Sequence, residues 1–530
     1  MPLSCRVLLA AILGVFGVLS AGAEGGPTTL LVVMDGLRPD YVTAEIMPNL
    51  NAFAEANIRF NKHHAVYPTV TRVNASTMVT GCYPGAHGLM DNSVYFPEVD
   101  PNKALSAADR GNLERIEAAT GGKLLLVPTL GEILADAGKS LFVASSGSTG
   151  SAFLLNHKVK AGAIVHPEFV LPESFAARAA EVLDPAGPEA TPNKAWNARV
   201  TDAYLKLGVD ELKAPVAILW YTDPDHTAHE KGIGEPVTIE SLKAVDAEFG
   251  RVLAGLEERG LAGKINIIIS SDHGFSTGKA AGSYNEFINK YCADKGIDPA
   301  SVVRAGYGLY FKDDAKKYVE DLVMQLQTVP WIGAIFTTPM FPGAPWGVNP
   351  GCASLGAVYY ENPRNAHIVV SPDWSDDANE FGFKGTTTAA GHGHGSSSPW
   401  DVHNTLIAGG PGFKAGLKVD VPSGNIDLAP TILRLNGLPQ VASMQGRVLE
   451  EALQGGADPA SIEVKPQIYR QQMSIPGSEP VTYTLEIHES RVGATAYFDF
   501  AKATRTKGET SPGQVQFLPV KPSPTAAPKN

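Results

Sequence analysis

Two apolar runs of strand length, each followed by an aspartate, constrain the fold of this chain most strongly. Leu30 to Met34 ends at Asp35-Gly36, and Ile265 to Ile269 is followed, after two serines, by Asp272-His273. Largely apolar runs of this length are typical of strands that are buried on both faces of a parallel sheet. Because open α/β sheets bind their ligands at the carboxyl ends of strands, both acidic residues are predicted to lie at a functional edge.

Residue types that bind metal ions recur at two further places. Asp225 and His229 are four residues apart after the apolar run Val216 to Tyr221, so one helical turn would place both on the same face. Taken singly, an Asp-Gly at a strand end is more often a turn, and an Asp-x-x-x-His pair is more often a solvated helix face. Together with a histidine in the segment Gly-His-Gly-His-Gly, the set has the composition to hold two divalent cations and predicts a two-metal hydrolase. The six predicted ligands are Asp35, Asp225, His229, Asp272, His273 and His394.

Three short motifs between residues 67 and 92 connect these ligands to a known family. They read Tyr-Pro-Thr-Val-Thr-Arg-Val-Asn-Ala, Thr-Gly-Cys-Tyr-Pro-Gly-Ala and His-Gly-Leu-Met-Asp-Asn. The chain resembles the alkaline phosphatase superfamily, and most closely its nucleotide pyrophosphatase/phosphodiesterase branch, from about Thr28 to about Gly446. The resemblance implies an alkaline-phosphatase-like α/β fold with a mostly parallel sheet sandwiched by helices.

The resemblance also implies a role for each site residue. Thr71 would be the nucleophile, and Asn92 would donate a hydrogen bond to a phosphoryl oxygen. Asp225, His229 and His394 would hold one of two divalent metal ions, with zinc favoured over manganese or iron. The second ion would be held by Asp35, Asp272 and His273 against the Thr71 hydroxyl, so Thr71 is also a predicted metal contact.

Three histidines compete for the last ligand position. The segment that starts at His394 reads His-Gly-Ser-Ser-Ser-Pro and resembles the last ligand motif of the family. His392 is interpreted as a loop residue near the site, and His403 as a residue that packs before a strand from Thr405 to Ala408. His394 is therefore the predicted ligand.

The local sequence around Thr71 supports its predicted role. Val73 to Thr80 reads as a short helix ended by Gly81, so Thr71 would lie at the amino end, where backbone N–H groups favour anions. The plain alternative is that Thr71 is a helix N-cap. Arg-Val-Asn-Ala follows Thr71 where the family commonly has Phe-Pro-Asn-His. Asp223 and Thr227-Ala228 are further departures, and all of them bear on the specificity for the leaving group.

The charge expected beside the site separates the possible reactions. Superfamily branches that cleave monoesters or phosphonates commonly place a pair of basic residues after a strand comparable to the one that begins near Val143. In this chain no lysine or arginine occurs between Val143 and Lys158. This absence favours a diester, which carries one negative charge less. The predicted function is a phosphodiesterase or nucleotide pyrophosphatase that works through a phosphothreonine intermediate on a small phosphodiester or nucleotide. The alternatives are a phosphomonoesterase or phosphonate hydrolase, and a catalytically silent phospholigand-binding protein.

The location of the protein is predicted from its amino-terminal sequence and its charge. Arg6 precedes the apolar run Val7 to Leu19, and Ala21-Gly22-Ala23 offers a cleavage site, so residues 1–23 read as a secretory signal peptide. No apolar run is long enough to predict a transmembrane anchor. The secreted or periplasmic product would carry a formal net charge of −12, which provides no basic surface for duplex nucleic acid.

The remaining sequence predicts the domain organisation. Residues 24–275 and 385–455 would form the catalytic core, residues 276–384 an inserted cap subdomain and residues 456–510 a peripheral segment. The tail 511–530, rich in Pro, Lys and Thr, is predicted to be disordered. Cys82, Cys292 and Cys352 remain after the signal, and Cys292 with Cys352 is the one disulfide considered. The oligomeric state stays open.

Overall fold

The computed structural model describes residue 26, residues 28–477, residues 479–508 and, for the backbone alone, residues 516–517. The predicted signal peptide and most of the predicted disordered tail lie outside the described residues. Among the residues that are described, no helix is both long enough and apolar enough to span a membrane.

A ten-stranded sheet forms the centre of the molecule. The four strands at its middle are parallel to one another, and the strand His403–Gly409 continues the sheet in the antiparallel sense. The strand order is Leu417–Val419, Ile58–His64, His403–Gly409, Asn266–Ser270, Thr29–Met34, Val216–Tyr221, Leu141–Ser145, Gly162–Val165, Val170–Leu171, and Ser423–Gly424 pairs with Ile58–His64. The predicted α/β class with a mostly parallel sheet is confirmed.

Alternate residues of the central strands point into two separate hydrophobic cores. Leu31 and Val33 lie on one face with Ile218, whereas Leu30 and Val32 lie on the other face. Because helices cover both faces, no position in these strands meets water, which explains why they read as continuous apolar runs. The observed strands Thr29–Met34 and Asn266–Ser270 differ from the predicted ones by one residue at their ends.

The helices pack on the two faces of this sheet and around its edges. The α-helices are Pro48–Ala56, Thr71–Thr80, Pro84–His87, Arg110–Ala119, Leu130–Asp136, Thr149–Leu154, Ala176–Val182, Lys194–Ala203, Asp225–Lys231, Pro236–Glu258, Tyr284–Lys295, Val319–Thr328, Pro399–Val402 and Leu428–Leu435. A π-helical segment, Tyr204–Glu211, continues Lys194–Ala203. Short 3₁₀ helices are Pro39–Tyr41, Glu173–Phe175, Pro299–Ser301, Lys316–Tyr318, Leu355–Val358, Asn425–Asp427, Glu450–Ala452 and Pro459–Ser461.

Two smaller sheets follow in the segment predicted to be a cap. The five-stranded sheet has the order Val302–Ala305, Gly308–Phe311, Ile368–Pro372, Ile332–Thr337, Ala353–Ser354. The three-stranded sheet has the order Thr277–Gly278, Lys384–Thr387, Trp374–Ala378. The helices Tyr284–Lys295 and Val319–Thr328 pack with the five-stranded sheet in a hydrophobic cluster of their own. A two-stranded sheet, Ser93–Val94 with Leu105–Ser106, lies earlier in the chain.

The last sheet is formed by long strands near the carboxyl end. Its order is Thr495–Lys507, Val481–Val492, Val464–Ile475, Gln516–Phe517. The strands Val481–Val492 and Thr495–Lys507 pair as a long antiparallel hairpin. Gln516–Phe517 lies within the segment predicted to be disordered, and it pairs with Val464–Ile475.

The cysteines correct one expectation. Cys82, Cys292 and Cys352 are free and buried, so Cys292 and Cys352 do not form the disulfide that the sequence analysis considered. Both thiols pack in the hydrophobic cluster of the five-stranded sheet, and the Cys352 thiol accepts a weak hydrogen bond from Gln327 Nε2 at 3.7 Å. Packing accounts for both residues without a covalent link.

Candidate active site

The predicted ligands meet because the strands that precede them are neighbours. Thr29–Met34 lies between Asn266–Ser270 and Val216–Tyr221, so the three chain segments leave the sheet at the same edge. The Gly36 N–H donates to Asp272 Oδ1 at 3.1 Å, and the Asp225 N–H donates to the Asp35 carbonyl at 3.0 Å. Gly36 has a φ of +69°, and a Cβ there would approach Asp225 Cβ to 3.0 Å, so glycine permits this close contact.

The six side chains form two clusters. The inner cluster is Asp35, Asp272 and His273, in which His273 Nε2 lies 3.5 Å from Asp35 Oδ1 and 3.0 Å from Asp272 Oδ2. The outer cluster is Asp225, His229 and His394, in which both Nε2 atoms lie 3.4 Å from Asp225 Oδ1. Asp225 also lies within ligand-sharing distance of Asp35 and His273, so the two clusters adjoin.

All three imidazoles are oriented by the main chain. His229 Nδ1 pairs with the His392 carbonyl at 3.0 Å, His273 Nδ1 with the Gly274 carbonyl at 2.8 Å, and His394 Nδ1 with the Thr69 carbonyl at 2.8 Å. Since a carbonyl only accepts, each Nδ1 carries the proton. Each Nε2 therefore faces the carboxylates and is the ring atom that a metal ion would bind in place of a proton, which is the arrangement of metal-binding histidines.

Each cluster also contains carboxylate oxygens without a hydrogen-bond donor. Among the described residues, Asp35 Oδ1, Asp225 Oδ1 and Asp272 Oδ2 are buried and unpaired. The second oxygen of Asp35 accepts from Trp220 Nε1 at 3.2 Å, so the carboxylate is held from behind. Buried anionic oxygens are costly unless a cation or a donor compensates them. These oxygens also face the Nε2 atoms of the three histidines.

The charges of these groups perturb one another. Burial raises the pKa of Asp35 well above its ordinary value, and the carboxylates of Asp272 and Asp225 raise it further. Burial would also raise the pKa of Asp225, but the His229 and His394 imidazoles hold it below its ordinary value. The Asp225 carboxylate raises the pKa of His229 to about 9. The three crowded carboxylates give the site a negative potential that suits divalent cations.

Thr71 lies directly against the inner cluster. Its Oγ1 is 3.2 Å from His273 Nε2, and the side chain is buried at the first position of the helix Thr71–Thr80. The residue before it, Val70, has extended backbone angles and no capping side chain, so Thr71 is not the N-cap that the alternative interpretation required. The helix ends at Gly81 in the left-handed region, as predicted.

Asn92 caps this helix from outside. Its Oδ1 accepts a hydrogen bond from the Arg72 N–H at 3.0 Å. This bond uses the carbonyl end of the amide, so the NH₂ end remains to donate to a ligand. Asn74, three residues after Thr71, is fully buried, and its Oδ1 accepts from the Val66 N–H at 2.8 Å. Asn74 thereby fixes the loop that leads to Thr71.

The family profile described as type I phosphodiesterase / nucleotide pyrophosphatase matches residues 29–373. The matched stretch includes five of the six predicted ligands together with Thr71 and Asn92. The chain belongs to this family. The predicted resemblance to the nucleotide pyrophosphatase/phosphodiesterase branch is therefore confirmed.

Curated relatives and solved structures agree with this membership. Ectonucleotide pyrophosphatase/phosphodiesterase family member 3 of Rattus norvegicus is 24% identical over 414 residues, which cover 76% of this chain and 41% of the rat protein. The venom phosphodiesterase of Naja atra is 29% identical over 248 residues, which cover 46% of this chain and 26% of the venom protein. The chain therefore spans less than half the length of these relatives.

The solved structures reproduce the fold. Murine ectonucleotide pyrophosphatase / phosphodiesterase 5 superposes with a TM-score of 0.58 at 18% identity and covers 80% of this chain and 100% of its own. An inactive threonine-to-alanine variant of the same murine protein, in complex with AMP, gives a TM-score of 0.57 at 18% identity, with 81% of this chain and 100% of the murine chain covered.

A cavity of about 480 Å³ opens over the outer cluster and Thr71. It is lined by Asp35, Val70, Thr71, Arg72, Asn92, Ser148, Glu189, Thr222, Asp225, His226, His229 and His394. The sequence analysis placed the segment that contains Ser148 near the site and found no cation in it. The cation in this cavity is instead Arg72, which sequence reasoning missed. The signal that could have found it is the arginine directly after Thr71, where the family commonly has phenylalanine.

The other departures from the family pattern do not line this cavity. Asp223 is fully buried, and its carboxylate accepts hydrogen bonds from Thr227 Oγ1 at 2.6 Å and from Asn197 Nδ2 at 2.9 Å. Asp223 and Thr227 therefore form a structural pair that fixes the start of the helix Asp225–Lys231. Of the departures from the family pattern, Arg72 is the one that lines the cavity.

The two histidines that competed with His394 have other positions. His392 contributes its carbonyl to His229, as described above. His403 begins a central strand, and its ring lies against His64, with ring centroids 4.5 Å apart. His64, His403 and Asp499 form a separate group of ligand-type residues, in which His64 Nε2 lies 2.8 Å from Asp499 Oδ1. None of these three residues lines the cavity over Thr71.

Proposed function

We propose that this chain is an exported two-metal phosphodiesterase or nucleotide pyrophosphatase that works through a phosphothreonine intermediate. The observation that carries the proposal is the Thr71 hydroxyl at the start of a helix, 3.2 Å from His273 Nε2, beside two adjoining clusters of carboxylates and imidazole Nε2 atoms. A hydroxyl is a poor nucleophile at neutral pH unless its environment favours loss of the proton. The inner cluster is the environment that would do so.

The donor set fits divalent cations. Asp35, Asp272 and His273, with the Thr71 oxygen, would hold one ion, and Asp225, His229 and His394 would hold the other. Three carboxylates with three neutral imidazoles are a nitrogen and oxygen set that suits zinc. When bound, such ions supply Lewis acidity to the oxygen atoms around the reacting phosphorus.

Thr71 performs the first covalent step in this mechanism. Its oxygen attacks phosphorus, the bond from phosphorus to the leaving oxygen breaks, and the hydroxyl proton is released. Water then attacks the same phosphorus, the Thr71 oxygen departs with a proton, and the free enzyme returns. The amino end of the helix Thr71–Thr80 would stabilise the developing negative charge through the helix dipole.

Asn92 would position the phosphoryl group during both steps. The Arg72 N–H fixes its amide oxygen, which directs the NH₂ group as a donor for a phosphoryl oxygen. A neutral donor of this kind stabilises oxygen atoms that gain charge in the transition state. The names of the relatives, which are phosphodiesterases and nucleotide pyrophosphatases, support this reaction class. The inactive threonine variant of the murine protein in complex with AMP supports the role of Thr71 and a nucleotide substrate.

The decisive experiment replaces the nucleophile. Thr71→Ala should lower kcat for a nitrophenyl nucleotide diester by at least about a thousandfold while both metal ions stay bound, because the hydroxyl is a reactant. Thr71→Ser should retain part of the activity. Thr80→Ala, the same substitution on the same helix but outside the cavity, is the matched control. Full turnover by Thr71→Ala would exclude the covalent mechanism, and a wild-type protein that binds the diester without cleaving it would be a silent binding protein.

Export and the cap are separate parts of the proposal. The amino-terminal sequence alone supports a cleaved signal peptide, and mass spectrometry of the mature amino terminus would test it. Residues 276–384 would act as a cap beside the cavity, since Tyr307 approaches Gly395, the residue after His394. Deleting this segment tests its part in substrate selection.

A further inference from the structure

We propose that Arg72 binds substrate and selects for a second negative charge at or next to the reacting phosphorus. This charge would be the extra oxygen of a monoester dianion or the neighbouring phosphate of an anhydride. The inference rests on the proposed function, because it assigns the charge of the substrate at the same site. It reverses the preference for simple diesters that the sequence analysis drew from residues 143–158.

Arg72 enters the cavity from the same helical turn as the nucleophile. It follows Thr71 directly, its N–H is held by Asn92 Oδ1 at 3.0 Å, and its side chain lines the cavity with both residues. A phosphoryl group that contacts Thr71 and Asn92 therefore lies within reach of an arginine side chain. Arginine forms paired hydrogen bonds to phosphate oxygens with a geometry that lysine and neutral side chains do not match.

Within the described part of the chain, the guanidinium of Arg72 makes no hydrogen bond or ion pair to another side chain. Its Nε is buried without a hydrogen-bond partner, and within the described part of the chain no carboxylate lies within 4.0 Å of it as an ion pair. Burial lowers the pKa of Arg72, whereas the carboxylates of Asp35 and Asp225 raise it. The side chain nevertheless keeps its charge at any pH at which the protein is folded. A buried cation without a partner is costly, and a bound anion would remove the cost.

Balancing the charges of the site argues against a role for Arg72 as a simple counter-ion. The three carboxylates of the two clusters carry three negative charges, and two divalent cations would carry four positive charges. The loaded clusters would thus hold one net positive charge before the Thr71 proton leaves, which a diester anion already balances. Arg72 adds a second positive charge, and that matches a substrate with two negative charges.

The other charged groups that line the cavity do not cancel Arg72. His226 Nδ1 lies 3.6 Å from Glu189 Oε1, and Glu189 is more than half exposed at the mouth. These two residues pair with each other at the solvent side, away from the buried end of the cavity where Arg72 Nε lies. A polyanion that enters the cavity therefore meets Arg72 as its unpaired cation.

The test compares substrates that share one leaving group. Kinetics of the zinc-loaded protein with p-nitrophenyl phosphate, a dianion, and methyl p-nitrophenyl phosphate, a monoanion, isolate the effect of charge. Arg72→Gln should lower kcat/KM for the favoured dianionic substrate at least about 30-fold more than for the monoanion, the range expected for a lost charged hydrogen bond. Arg72→Lys should recover part of the loss. Lys231→Gln, the same charge change on an exposed side chain, should affect both substrates equally.

A third substrate separates the two sources of the second charge. If Arg72→Gln selectively impairs the cleavage of ATP to AMP and pyrophosphate, the charge belongs to a neighbouring phosphate. If it selectively impairs p-nitrophenyl phosphate, the charge belongs to the reacting group. Equal losses, within threefold, for all three substrates would overturn the proposal.

A binding measurement keeps the test independent of turnover. Calorimetry should show that Arg72→Gln weakens the binding of inorganic phosphate at least about 30-fold more than the binding of dimethyl phosphate. Thermal unfolding checks that the variant is folded. An unchanged ratio of the two affinities would overturn the role of Arg72. Selective loss of phosphate binding by a protein that cleaves none of the substrates would uphold Arg72 and refute the proposed catalytic function.

Discussion

The inner and outer clusters use the same residue types but are built differently. Asp272 and His273 are fully buried and follow a central strand, whereas 43% of the His229 side chain is exposed on a seven-residue helix. Asp225 is intermediate, with 13% exposure. The inner cluster lies at the buried sheet edge, where only Asp35 reaches the open cavity, whereas all three residues of the outer cluster line this cavity. We therefore predict that the inner cluster couples metal binding to folding, and that the outer cluster couples metal binding to substrate binding.

The largest expected effect tests the coupling to folding. Asp35→Asn should lower activity by at least about a thousandfold, because it removes a charge from the inner cluster but keeps an acceptor for Trp220. Its effect on stability should change sign with metal. Since the folded state raises the pKa of Asp35, the ionised carboxylate costs stability as pH rises above the ordinary aspartate pKa, so the metal-free variant should unfold at a higher temperature than metal-free wild type at pH 7.

Scanning calorimetry with zinc and with chelator measures both signs. In zinc, wild type should be the more stable protein, because bound metal stabilises the folded state. A variant that is less stable than wild type in chelator would show that the inner carboxylates do not repel one another, and the contrast between the clusters would fail.

A smaller effect is expected in the outer cluster. His394→Ala should remove one metal ion and lower activity by about a hundredfold or more, with the inner ion retained. His392→Ala should keep both ions, because His392 serves His229 through its carbonyl, which alanine also has. Metal analysis and kinetics of the two variants decide between them. Loss of metal in His392→Ala with retention in His394→Ala would reverse the ligand assignment.

The smallest effect concerns the rate of metal exchange. A chelating dye should remove one ion at least about tenfold faster than the other, since His229 of the outer cluster is exposed, whereas Asp272 and His273 of the inner cluster are fully buried. Activity should fall with the first ion removed. Release of both ions in one phase would show that the adjoining clusters behave as a single site.

The sequence predicted the parts of the site that follow from strand ends. Asp35 and Asp272 were found because a buried parallel strand reads as an apolar run, and the sheet brings neighbouring strand ends together. Asp225 and His229 were found from helical spacing. In each case a local pattern determines the position of the residue relative to an element, and the element determines the edge on which it lies.

Arg72 was not predicted because its role depends on the direction of a side chain. The sequence shows an arginine after Thr71 and no lysine or arginine from Val143 to His157, but it does not show where the arginine side chain points. Whether a residue on the first helical turn faces a cavity or packs away from it depends on the loops around it, here the one fixed by Asn74. Asp223 is the opposite case, because this departure from the family pattern is buried and accepts a hydrogen bond from Thr227 instead of lining the cavity.

The three bonds from Nδ1 to backbone carbonyls have a consequence for how this protein can vary. Carbonyls of His392, Gly274 and Thr69 belong to the main chain, so no side-chain substitution at those positions deletes the acceptor that fixes each imidazole tautomer. The cavity-lining residues outside the two clusters, such as Arg72 and Ser148, do not hold any of these imidazoles. Point substitutions in the cavity wall can therefore change the substrate preference, while the backbone keeps the three imidazoles in the same orientation.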